Sequence, residues 1–267
     1  MTTAEIFAAV RAGDVSHFEA NPDQIQLRNP ESRAENSRLW YEISPLHAAA
    51  ANGQLAALKR LVELGAEVYS HPLSTYPAVV VADWEGHPEV VKYFLEEIPD
   101  KAEGTLGIGV TCNLAGRQGW IDQVRQHIVR DPLAVHQRGW IGDTPLHWPG
   151  HNGYIEIVRL LLDAGADPNA EENNWIGGTP LHWASERHVD IVNLLIERGA
   201  NPNARVTRPG SHHLGGTPLH WCARQPEDCL EVARALVQAG TDPNALDAFG
   251  KTPAEYARPN IAAFLAA

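Results

Sequence analysis

The chain has 267 residues, more than one globular core usually holds, so two domains would be expected unless the sequence repeats. Its 44% apolar content is that of a folded protein, and no apolar run reaches the length of a membrane-spanning helix. The formal net charge of −12 speaks against nucleic acid and against anionic membrane surfaces as partners.

Cys112, Cys222 and Cys229 are too few and too irregularly spaced for a disulfide framework. With His220 they match no zinc pattern, so no metal site is expected. The N-terminus, Met1 to Glu5, lacks the basic and apolar regions of a secretory signal, and the expected compartment is the cytoplasm.

In chain order, Ala4–Ala12 reads as a first helix closed by Gly13-Asp14, without a proline-led start. Residues 21–38 are polar and predict a long loop. Ser44-Pro45-Leu46-His47-Ala48 then opens an apolar helix. Thr144-Pro145-Leu146-His147-Trp148, Thr179-Pro180-Leu181-His182-Trp183 and Thr217-Pro218-Leu219-His220-Trp221 are one five-residue phrase written three times, and Thr252-Pro253-Ala254-Glu255-Tyr256 is a worn copy of it. Ser44 to Thr144 is 100 residues, about three periods of 33. Stepping by that period lands on Pro77 and Val110, each followed by small apolar residues and then by Gly86 or Gly119.

Each residue of the phrase has a physical task. Thr or Ser accepts a backbone N–H at the helix start, and Pro suits the first turn because its missing donor costs nothing there. Leu points inward. A second helix such as Ile155–Leu162 follows and ends at Gly165, where a left-handed residue is favoured. Asp167-Pro168-Asn169 then turns the chain, as do Asn201-Pro202-Asn203 and Asp242-Pro243-Asn244.

These phrases resemble the ankyrin-repeat family, most strongly over 142–257 and again over 43–69. The resemblance implies an all-α solenoid of about eight helix–turn–helix units joined by β-hairpin-like loops, forming a single domain over 1–267. The units fall at 1–38 as an N-terminal cap, 39–71, 72–104, 105–138, 139–173, 174–211, 212–246, and 247–267 as a C-terminal cap. It also implies that the motif histidine bonds backbone groups between neighbouring repeats, and that hairpin tips and inner helices line a concave binding groove.

Registering each unit on its Thr shows which side chains belong to that groove. Four residues before it stand Trp40, Trp140, Trp175 and His213; four after it stand Ala48, Val81, Leu114, Trp148, Trp183, Trp221 and Tyr256. One helical turn further come pairs that include Trp84, Arg117, His151, Glu186, Arg187 and Arg224. Of eight Trp residues only Trp120 lies outside these columns. Exposed aromatic clusters mark recognition surfaces, although an indole after the motif histidine also packs between ankyrin repeats.

Two irregularities fall in the same place. Trp148-Pro149-Gly150 predicts an inner helix bent, unwound or cut short. The loop between the sixth and seventh units is long, 38 residues from Thr179 to Thr217, and predicts an arch over the groove.

The leading expectation is a recognition scaffold for a protein or peptide, binding through Trp40, Trp84, Trp140, Trp148, Trp175, Trp183, Arg187, His213, Trp221 and Arg224. The alternative is a small-molecule binder or acid–base enzyme in units five to seven. There His151 or Asp143 would be the base, with Glu186 beside them and Arg187 or Arg224 holding an anion. No nucleophile motif, phosphate loop or cofactor signature accompanies these residues.

Overall fold

The computed structural model describes residues 1–28, 44–68, 78–98, 108–139, 141–172, 176–225 and 229–266. They are helical, with no strands among them, and form two compact units, 1–107 and 108–267.

In the first unit α1 (Thr3–Arg11) and α2 (Ser16–Ala20) make the terminal pair, followed by α3 (Pro45–Ala51) with α4 (Leu55–Glu63) and α5 (Ala78–Trp84) with α6 (Pro88–Glu96). Thr2 and Glu5 cap α1 reciprocally, which gives this diverged helix a defined start without a Thr-Pro phrase. Helix α5 begins one residue after Pro77, as the register requires; Pro77 itself lies outside the described residues.

The second unit stacks four inner helices in succession: α7 (Ile108–Arg117), α9 (His147–Asn152), α11 (Pro180–Ala184) and α13 (Pro218–Ala223). Their outer partners are α8 (Ile121–Arg130), α10 (Ile155–Asp163), α12 (Val189–Glu197) and α14 (Leu230–Gln238). A 3₁₀ turn at Pro253–Glu255 and α15 (Pro259–Leu265) close the array. The outer helices bury aliphatic stripes such as Ile157, Val158, Leu161 and Leu162 at helical spacing.

The phrase works as a set of pegs. In α11 the Thr179 N–H donates to His182 Nδ1 at 3.0 Å, with the Thr179 hydroxyl 2.9 Å from the same nitrogen. An accepting Nδ1 puts the proton on Nε2, which reaches the Gly216 carbonyl of the next loop at 3.3 Å. His147 repeats this with Thr144 and Gly178, and His220 with Thr217 and Lys251. Burial holds His147 at about 4 and His182 at about 3, well below an ordinary imidazole, so both are neutral pegs.

Pro149 changes one helix without breaking it. Where α11 and α13 start directly after their Thr caps, the matching residues Pro145 and Leu146 form a turn, and α9 starts at His147 with Leu146 as its cap. Pro149 thus becomes the third helical residue, inside the first turn, where no N–H is needed. Its ring lies against Gly116 of α7, where a Cβ would come within 3.1 Å of Pro149 Cγ. The expected unwinding is confined to these first two residues, and α9 runs on to Asn152.

Candidate functional site

Within each of three loops, a main-chain bond closes a hairpin-like turn ahead of the next inner helix. Glu172 N–H donates to the Gly178 carbonyl (2.9 Å), Val206 and Gly216 pair the same way (3.0 Å), and so do Asp247 and Lys251 (2.9 Å). These are the β-hairpin-like loops expected from the register. Buried Glu172 accepts the N–H groups of Ile176 and Gly177 and so pins the first of them.

The motif indoles do not share one environment. Trp183 and Trp221 are 3% and 2% exposed and, with Val206, form an apolar cluster onto which Ile141, Trp148 and Ile176 pack. Gly178 fits this layer because a Cβ there would lie 3.2 Å from both indoles. Trp183 and Trp221 are therefore packed inside the repeat stack and present almost no surface to a partner. Trp148, at the same motif position, is half-buried.

Around Trp148 the contacts are dense. The Arg117 guanidinium sits 3.9 Å above its ring, Trp183 meets it edge-on with centroids 4.9 Å apart, and His151 stands at 5.7 Å. His151 Nδ1 lies 3.2 Å from Glu186 Oε2, with both side chains partly exposed. The group spans three successive inner helices: Arg117 from α7, Trp148 and His151 from α9, Trp183 from α11 and Glu186 just beyond it. Arg187 beside them is exposed. Aromatic faces rimmed by paired charges suit a protein interface, and a His–Glu pair can also pass a proton to a bound group.

Asp143 is placed elsewhere. It is 3% exposed, at the hairpin base, with its carboxylate against Gly139 and its carbonyl accepting from Asn113 Nδ2 (3.3 Å). Burial first, and Glu172 nearby, push its carboxyl up to about 6. The expectation that Asp143 stands open beside His151 is corrected: its side chain is buried against Gly139.

At the far end, His213 lies over Trp221 with ring centroids 4.7 Å apart, and His212 stacks on His213 at 4.2 Å. The long loop thus covers Trp221, which explains why this indole is closed off. Arg224 holds the loop down by donating to the His212 carbonyl (3.1 Å). It also pairs with Asp247 (3.3 Å) and lies 3.7 Å over the Tyr256 ring. Tyr256 donates to Asp247 (2.7 Å), so Arg224 is committed to a structural cluster.

Trp84 is half-buried on α5, in the first unit. Trp40, Trp140 and Trp175 lie outside the described residues. Arg117 and Asp247 were not among the candidates. The register had placed Arg117 one turn past Leu114 and could have nominated it; the role of Asp247 depends on a distant pairing that no local pattern carries.

Comparison with known proteins agrees with this architecture. A family model for ankyrin repeats in three copies matches residues 114–206, and a single ankyrin-repeat model matches 41–71 and 214–248. The chain is 39% identical over 167 residues to palmitoyltransferase AKR1 of Lachancea kluyveri, covering 60% of this chain and 19% of that protein. It is 29% identical over 176 residues to the ankyrin repeat and KH domain-containing protein mask-1 of Caenorhabditis elegans, covering 61% of this chain and 6% of that protein. With the probable E3 ubiquitin-protein ligase XBOS32 of Oryza sativa subsp. japonica it shares 29% over 191 residues, 60% of this chain and 38% of that protein. The chain therefore spans well under half the length of these relatives. No described helix is long and apolar enough to cross a membrane. Ankyrin repeats generally mediate protein–protein binding, and this chain, with its pegged helix pairs and matched repeats, belongs to the ankyrin-repeat family.

Proposed function

We propose that the chain is a recognition scaffold whose groove over α7, α9 and α11 binds a protein or peptide partner, with Trp148 as the anchor. The observation that carries this reading is the partly exposed Trp148 indole, stacked under Arg117 and flanked by the His151–Glu186 pair. Buried aromatic and Arg anchors with a charged rim dominate binding energy at protein interfaces. The fixed geometry of the pegs beneath lowers the cost of presenting these side chains, because the scaffold is ordered before the partner arrives.

A small-molecule reading draws on one observation, the 3.2 Å His151–Glu186 contact. Asp143, the other base considered, is 3% exposed and lies against Gly139, which leaves His151 as the base of that reading.

Hydrogen exchange with and without a partner captured on the immobilised chain tests the proposal. Slowed exchange should appear in 114–118, 148–152 and 183–187, with α8 and α10 unchanged. Protection confined to those outer helices would place the interface on the opposite face and end this reading.

A further inference from the structure

The joint between the fourth and fifth repeats departs from the peg pattern. From α9 onward, each motif histidine takes a threonine at Nδ1 and gives its Nε2 proton to the carbonyl before the next threonine. In the fourth repeat the sequence has Val110 in place of that threonine and Asn113 in place of the histidine. Asn113 Nδ2 still donates to the carbonyl before the next threonine, that of Asp143, at 3.3 Å. The amide oxygen is not satisfied. Asn113 is 4% exposed, and its Oδ1 has no hydrogen-bond partner among the described residues.

Beside this amide lies a buried carboxylate. A Cβ at Gly139 would collide with both Asn113 Nδ2 and Asp143 Oδ1, which puts the two groups side by side beneath that glycine. Asp143 is 3% exposed and forms no ion pair among the described residues. Of the charges around it, Arg117 of α7 lies over the Trp148 ring. Glu172 of the next hairpin, pinned by the Ile176 and Gly177 N–H groups, adds a like charge. Arg138 of its own loop donates to the Gly142 and Glu171 carbonyls, and His147 is a neutral peg. An ionised Asp143 is therefore a buried, unpaired charge next to an acceptor that lacks a donor, and one proton removes both deficits. Burial is the main reason its carboxyl is pushed up to about 6; its own N–H, the Asn113 amide and Arg117 oppose the rise.

We infer that Asp143 and Asn113 form a proton-operated clasp between the fourth and fifth repeats, open when Asp143 is ionised and closed when it is protonated. Closing takes one proton from solvent onto the carboxylate. The new O–H donates to Asn113 Oδ1 after a half-turn of the amide. That turn gives up the 3.3 Å bond to the Asp143 carbonyl, which keeps the Gly139 N–H at 2.7 Å. In the folded chain the carboxyl stands above its ordinary 3.8, so the clasp's contribution is complete below about pH 3.8 and is lost as the pH rises through about 6. The histidine pegs run the other way and contribute less as the pH falls. Mild acid therefore tightens this joint while it loosens the ones beyond. Arg117 and Trp148 stand about one turn beyond the clasp on its two sides. The clasp does not depend on whether the groove binds a protein.

A carbon-13 NMR titration of the full chain, labelled at the aspartate carboxyl carbon, tests the clasp. Asp143 should titrate with a midpoint at about pH 6, and the Asn113 side-chain amide signals should move with the same midpoint. Asp143→Asn, which cannot ionise, should abolish that amide shift. Urea titrations of this variant and the wild type give the ratio of their folding constants, which should rise about tenfold from about pH 5 to about pH 7.5. Only the wild type loses the clasp over that range, and the histidine pegs, common to both chains, cancel. The inference is overturned by an Asp143 midpoint below about 4.5, inside the ordinary carboxylate range. It is equally overturned by an Asn113 amide that stays still while Asp143 titrates, or by a ratio that is the same at both pH values. If Asp143→Asn does not fold, the two wild-type titrations decide alone.

Discussion

His220 and Trp221 are consecutive residues of one helix, yet they answer to different demands. His220 uses both ring nitrogens, one toward Thr217 and the other toward the Lys251 carbonyl. Trp221 is as deeply buried, but its N–H has no partner among the described residues, and it is covered by His213 of the preceding loop and packed on Trp183 and Val206. The peg layer repeats with the same partners in α9, α11 and α13, whereas the indole layer above it differs from unit to unit. Uniform, fully paired contacts hold the array together, and individual, partly open contacts at Trp148 leave something for a partner to recognise.

Acid should break the peg layer most severely. His147 and His182 sit at about 4 and about 3 in the folded chain, below the 6.5 of a free imidazole, so the unfolded chain takes up their protons first. Their contribution is complete above about pH 6.5 and is lost as the pH falls toward their folded values. At about pH 5 each should cost about 2 kcal/mol of stability, read as a fall in the denaturant midpoint between pH 7 and 5. A flat profile would show that the pegs are not buried neutral imidazoles.

His182→Ala comes next. It strands the buried Thr179 N–H, takes from the Gly216 carbonyl one of its two donors (the Val206 N–H remains) and leaves a cavity, for a loss of about 3 kcal/mol in a urea titration. The same truncation at Trp148 should cost only about 1 kcal/mol, because this residue is partly exposed and sits on contacts that survive it. If Trp148→Ala destabilised as much as His182→Ala, the separation of the two layers would fail.

The peg layer was legible because it is local: Thr, Pro and His at fixed spacing define a cap, a first turn and a hydrogen bond wherever they occur. The order of inner and outer helices, the hairpin-like loops and the effect of Pro149 on one helix start followed from the same short-range chemistry. The indole layer was not legible to that depth. Trp148, Trp183 and Trp221 occupy one motif position, and what separates them is the residue above each: Arg117 over Trp148, Val206 beside Trp183, His213 over Trp221. Those neighbours come from adjacent repeats and from a loop of unusual length, so position within the motif does not reveal which indole is closed. Asp143 illustrates the same limit, since hairpin closure against Gly139 and Asn113 hides a carboxylate that register alone puts beside the groove.

The most direct test of the division between layers is a calorimetric titration of the captured partner into the wild-type chain and into Trp148→Ala with Arg117→Ala, with melting curves recorded on the same samples. The affinity should fall by about a hundredfold, the scale of an interface hot spot, while the melting temperature moves by only a few degrees. Unchanged affinity in a folded double variant would contradict the account, because the indole left open by the scaffold would then not be what the partner reads.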